Sequence, residues 1–274
     1  MPSDAIAESL AYINWTLLVT LALGSLAAVV VALRAGASRG YLVFTAACSA
    51  LLGLVALLAD LSLPDPTGLA ISGAPELEGL RRFGLAAFAI LGLGCAVLLA
   101  RGSRSPALAL AALGSGTGAA VTAAIGWGGG VPNGVPLAVQ YLVLAAATGG
   151  VLATMILGHW YLVTPRLSER PLVLAARLLT AVVALQVLLF LVWTSVGTGT
   201  RGPFAALAGS SSLFVWLRLL VGLLFPLVVS WMALRTARTR SMESATGLLY
   251  IDTAAILSGT IVAAGLYYGV GLLV

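Results

Sequence analysis

AYINWTLLVTLALGSLAAVVVAL at 11–33, RAGASRG at 34–40 and YLVFTAACSALLGLVALLADLSL at 41–63 decide how this chain is read. The two apolar runs, 23 residues each, are joined by a short turn carrying Arg34 and Arg39. Each run exceeds the roughly 20 residues a helix needs to cross the ~30 Å hydrocarbon core of a bilayer. The alternation continues to the end of the chain and predicts spans at 11–33, 41–63, 83–100, 106–127, 137–163, 172–197, 213–235 and 247–273. Lipid offers the backbone no hydrogen-bond partner, so every span is expected to be helical and the fold an all-α integral membrane protein of eight transmembrane helices.

Composition agrees. Hydrophobic residues make up 61% of the chain and charged ones 8%, with a mean hydropathy of +1.10, against about 25% charged in soluble domains. The 274 residues are used up by the spans, so activity must reside in the helices and their ends, with membrane lipids as neighbours. All 14 basic residues are Arg, a usage typical of GC-rich bacterial genomes, and the bacterial cytoplasmic membrane is the expected location. The pI of 9.7 does not indicate nucleic acid, because the arginines are spread over loops on both sides instead of forming a stripe with aromatics. Cys48 and Cys95 lie within apolar segments without CxxC or zinc spacing and read as buried packing thiols. Residues 1–10 carry Asp4 and Glu8 and no arginine, unlike the basic start of a cleaved signal peptide, so the first span is expected to be retained.

Loop charge orients the spans. Arg34 and Arg39, Arg101 and Arg104, Arg166 and Arg170, and Arg235, Arg238 and Arg240 occupy four loops on one side. The other side has Arg81, Arg82 and Arg201 beside Asp65, Glu76 and Glu78. The positive-inside rule therefore places both termini outside the cytoplasm. Loop lengths repeat between spans 1–4 and spans 5–8, which suggests tandem four-helix halves, 1–130 and 131–274, within a single transmembrane domain. An even number of spans per half makes such a repeat parallel, unlike the inverted repeats of many secondary transporters. Gly114, Gly116 and Gly118 in span 4 and Gly149 and Gly150 in span 5 read as close helix packing, since a phosphate loop needs a strand and a free helix start.

Charges within a bilayer cost at least ~2.5 kcal/mol each on insertion scales, so each asks for a partner or a purpose. Arg177 in span 6, Asp252 in span 8 and His159 in span 5, with Trp160 and Tyr161 beside it, all lie near the cytoplasmic ends of their helices. Together they would form a site able to hold a quinone headgroup or relay protons. Alternatively, Arg177 and Asp252 form an ion pair and the aromatics an interfacial belt. A second group, Arg218, Gln140, Tyr141 and Asp60, with Trp193, Thr194 and Ser195, lies near the outer face. There Arg218 either pairs with Asp60, meets an anionic ligand, or snorkels outward. Gln186 is expected to bond between helices, and Pro226 to kink span 7 and free a carbonyl.

No cofactor is firmly implied beyond that possible quinone. A single histidine excludes bis-histidine haem within the chain, and His and carboxylate ligands are too few for zinc or di-iron centres.

Gly158-His159-Trp160-Tyr161-Leu162-Val163-Thr164-Pro165 and Ser244-Ala245-Thr246-Gly247-Leu248-Leu249-Tyr250 resemble segments of a bacterial multi-span membrane protein family often encoded near respiratory genes. That family has no assigned activity, so the resemblance implies no site residues. The layout, with both termini outside, is also similar to the quinol-interacting anchors of molybdenum reductases, in architecture alone. These features lead to the expectation of a haem-free membrane subunit or accessory of an electron-transfer complex, assembled with other protein subunits. A small transporter or channel, with the inner and outer polar groups as gates of one path, is the alternative. An enzyme acting on lipid-linked substrates ranks third, because Glu169 and Glu243 stand alone in their loops.

Overall fold

The computed structural model describes residues 3–164, 167–197 and 202–274, with side chains from residue 9 onward. Pro165, Arg166 and Arg201, and the side chains of Asp4 and Glu8, lie outside the described residues. Eight helices are long and apolar enough to cross a membrane: α1 (Ser3–Ala35), α2 (Arg39–Leu61), α3 (Pro75–Ala100), α4 (Ala107–Trp127), α5 (Val131–Val163), α6 (Arg170–Val196), α7 (Ser212–Arg238) and α8 (Met242–Val270). No strand occurs among the described residues. α1 starts and α8 ends at one side of the bundle, the terminal face.

Hydropathy placed the start of the third span at 83, but α3 begins at Pro75. Proline suits a first helical turn, where its missing N–H costs nothing, and Glu76 and Glu78 sit favourably against the positive end of the helix dipole. Arg81 and Arg82, counted above as loop charges, are therefore helical residues.

α1–α4 pack in sequence, each on the next, and α4 returns to α1. The same neighbour relations recur in α5–α8, where α8 returns to α5. α1 and α5 join the two bundles by crossing with their backbones in contact. A Cβ on Gly24 would fall 1.8 Å from the Ala145 carbonyl oxygen, and one on Gly149 would fall 2.3 Å from the Ser25 nitrogen. Ser25 Oγ also donates to the Gly149 carbonyl across the crossing, at 3.3 Å. Small residues here let dispersion act over a long backbone contact, which is how helices associate when lipid removes the hydrophobic drive. Toward the terminal face the gap between α1 and α5 is filled from α4 and α8. Toward the opposite face α2 reaches across it, with Tyr41 Oη donating to the Ala153 carbonyl at 3.2 Å.

α7 is irregular. Leu220–Leu224 form a π turn between regular segments, immediately before Pro226. Proline has no N–H to give the carbonyl four residues back and its ring crowds that carbonyl, so the turn widens and the Gly222 oxygen is released.

Candidate functional site

The terminal-face end of the first bundle, with α5 and α8 against it, holds a closed polar network. Asp60, near the end of α2, is fully buried and is met by three side chains that donate to it. Arg81 Nε and Trp15 Nε1 bond Oδ2 at 2.6 and 2.7 Å, while Arg82 Nε bonds Oδ1 at 3.1 Å. Arg81 adds a second bond from Nη2 to Oδ1 at 3.2 Å, making the pair bidentate, and its guanidinium lies 5.1 Å from the Trp127 ring centre. Trp127 is edge-on to Trp15 and Tyr12, at 4.6 and 5.2 Å. Behind them the Tyr268 hydroxyl joins Thr16 at 2.7 Å and Tyr141 at 2.6 Å. Gln140 Nε2 donates to the Val274 carbonyl at 2.8 Å. The loop between α2 and α3 closes over this end, with Ala70 N–H donating to the Tyr268 carbonyl at 2.8 Å and Ser72 N–H to the Trp127 carbonyl at 3.0 Å. Asp60, Gln140 and Tyr141 thus belong to a packed, hydrogen-bonded plug. Asp60 does not pair with Arg218, because its oxygens are taken by Arg81, Arg82 and Trp15.

The inner candidates do not converge. His159 is exposed and its Nδ1 lies 3.5 Å from the Tyr250 hydroxyl. Trp160 packs against Phe44, with ring centres 6.2 Å apart, and against Gly40. Tyr161 is buried and donates to the Ser168 carbonyl, tying down the loop that follows α5. Arg177 is exposed on α6, and neither an ion pair nor a hydrogen bond joins it to Asp252. Two residues of helix turn the side chain by about 200°, so His159 and Tyr161 leave α5 in opposite directions.

The unpartnered groups lie elsewhere. Among the described residues, buried side-chain atoms without a hydrogen-bond partner include both Asp252 oxygens, Arg218 Nε, both Gln186 amide atoms and Trp193 Nε1, all on α6–α8. The only others are the Ser38 and Thr45 hydroxyls. Asp252 is 0% exposed and Arg218 2%. Arg218 does not snorkel toward the terminal face. Its Nη1 runs deeper along α7 and donates to the Gly222 carbonyl at 3.2 Å, the oxygen that Pro226 releases. Two glycines make room for it: a Cβ on Gly259 would lie 2.8 Å from Arg218 Nη1, and one on Gly222 would lie 2.6 Å from the Gly259 Cα.

Asp252 and Gly259 are seven residues apart on α8, hence on one face and separated by ~10 Å. The carboxyl and the guanidinium therefore flank the same α7–α8 seam at different depths. Gln186 faces inward from α6, which packs on α7 and its π turn. Sequence inspection flagged Arg218, Gln186 and Asp252 separately. Depth alone matched Asp252 with Arg177 and Arg218 with Asp60, and it missed that neither pair forms, which leaves both charges of α7–α8 without an opposite charge beside them.

A cleft of about 190 Å³ also lies between α1, α5 and α6, lined by Ala28, Val31, Gly150, Thr154, Ala175 and Leu179 among others. Comparison with protein-family models, with curated proteins and with solved structures finds no match for this chain.

Proposed function

We propose that the protein is a proton-coupled transporter of a small solute, with its path along α6–α8 and with Asp252 as the group that takes up and releases the proton. The observation that carries this reading is the pair of ionisable side chains enclosed on one helix seam with no opposite charge bonded to either. A carboxyl with neither a cation nor a donor around it is tolerated only when neutral or when met by an ion, so exposing it first to one face and then to the other loads and unloads it. Ionisable residues inside a helical bundle mark such pathways more often than they mark scaffolding. The π turn and Pro226 give α7 the joint at which one half of the helix can swing against α8. In this reading the protein lies in the bacterial cytoplasmic membrane with its terminal face outward, because Arg34, Arg39, Arg101, Arg104, Arg170, Arg235, Arg238 and Arg240 lie in the loops and helix ends at the opposite face.

The test is proton entry into liposomes holding the purified chain and a trapped pH-sensitive dye, under an imposed inward proton gradient and with a panel of small solutes outside. The wild type is expected to acidify the interior in a solute-dependent way, and Asp252→Asn to lose that response. Acidification equal to that of empty liposomes with every solute would overturn the reading.

The α1–α5–α6 cleft favours one second reading, a membrane subunit of an electron-transfer complex holding a quinone tail, because its lining is almost wholly aliphatic. It requires that the chain copurify from its native membrane with redox subunits or with bound quinone, and a chain recovered without either would remove it.

A further inference from the structure

Arg218 has a counterpart. Arg81 is the seventh residue of α3 and Arg218 the seventh of α7, the third helix of each bundle, and both are buried. The preceding helix of the first bundle supplies Asp60, which neutralises Arg81. The preceding helix of the second bundle, α6, contains no carboxylate, and its end toward the same face reads Trp193-Thr194-Ser195-Val196. Thr194 and Ser195 turn their hydroxyls back to their own helix, to the Phe190 carbonyl at 2.7 Å and the Val192 carbonyl at 2.9 Å. The Arg218 charge therefore has no counter-ion on the described part of the chain, while its Nε–H has no acceptor at all.

By residue count Gln186 is level with Gly222, the residue whose carbonyl the guanidinium reaches. It precedes the end of α6 at Val196 by 10 residues, and Gly222 follows the start of α7 at Ser212 by 10. Gln186 is 5% exposed, and neither its amide N–H₂ nor its oxygen is bonded. One enclosed positive charge with a free N–H, and an amide with a free N–H₂ on the adjoining helix, make a donor set for an anion. The enclosure and the single charge limit that anion to a small monovalent one, and two N–H donors suit the two oxygens of a carboxylate or nitrate.

We infer that Arg218, steered inward by the carbonyl that Pro226 releases, and Gln186 form a binding site for a small monovalent oxyanion of the formate or acetate type, whose charge takes the place that Asp60 holds in the first bundle. The inference rests on the transporter reading in one respect: it makes this anion the solute that moves with the proton.

The test is thermal unfolding of the purified full chain, followed by tryptophan fluorescence, in sodium formate, acetate or nitrate against sodium gluconate at matched ionic strength. The wild type is expected to gain a saturable rise of a few degrees in at least one of the three salts. Arg218→Gln is expected to bind about tenfold more weakly or worse. Gln186→Glu, which keeps the shape of the side chain and supplies Arg218 with an internal carboxylate, is expected to fold and to lose the rise, and it decides the question if Arg218→Gln does not fold. An unchanged rise in Gln186→Glu, or no saturable rise in the wild type, overturns the inference. A normal rise in a protein that moves no protons leaves the anion site standing and removes the transporter reading.

Discussion

Arg81 and Arg218 occupy matching places in the two bundles, are equally enclosed, and have opposite surroundings. Arg81 is held by both oxygens of Asp60, over Trp127, within a network whose members satisfy one another. Arg218 has one backbone carbonyl, and the nearest carboxyl along its seam, Asp252, is ~10 Å away by helix rise. Burial alone therefore does not distinguish scaffold from site. A buried charge with its partners in place fixes two helices together, whereas one without partners is a standing cost that a bundle keeps only for something that binds there.

The contrast can be broken most forcefully at Asp60. Asp60→Ala leaves Arg81 enclosed and uncompensated, which should cost about 3–5 kcal/mol. Denaturant unfolding in detergent measures this, and a loss well below that range would mean that the first bundle does not depend on the pair. The same operation in the second bundle should have the opposite sign: Arg218→Met removes an unpaired charge and should leave stability unchanged or raise it by about 1–4 kcal/mol, read in the same assay. A large loss of stability there would place Arg218 with the scaffold. Tyr268→Phe sharpens the comparison from within the network, since it strands the Thr16 and Tyr141 hydroxyls and should cost about 1–3 kcal/mol. The smallest effect on stability is expected from Asp252→Asn, under about 1 kcal/mol because the carboxyl has no partner to lose, although proton movement should stop. A severe unfolding phenotype for Asp252→Asn would show that the carboxyl is structurally engaged.

These differences were unevenly legible in the sequence. The eight spans followed from hydropathy because a backbone in lipid has one way to satisfy itself. Their ends did not, because the polar start of α3 from Pro75 to Arg82 continues the helix, and counting Arg81 as loop charge concealed its pairing with Asp60 one span earlier. Shared depth suggested a cluster of His159, Arg177 and Asp252. Depth says nothing of azimuth, however, and His159 and Arg177 point outward while Asp252 points inward. Pro226 marks the irregular part of the seventh span, where a π turn occupies Leu220–Leu224. That Arg218 would reach inward to the Gly222 carbonyl, through the space left by Gly222 and Gly259, depended on the approach of α8, which no local pattern records.

In the transporter reading the second bundle opens to water and the first does not. Single cysteines placed at Asp252, Gln186 and Ser49, in a background with Cys48→Ala and Cys95→Ala, can be challenged with a small hydrophilic thiol reagent in native membranes. Ser49 is a fully buried position on α2 whose hydroxyl bonds the Ala22 carbonyl at 2.8 Å, and serves as the first-bundle reference. Labelling is expected for Asp252→Cys and Gln186→Cys and not for Ser49→Cys. Equal protection of all three, or labelling of Ser49→Cys alone, would contradict that reading.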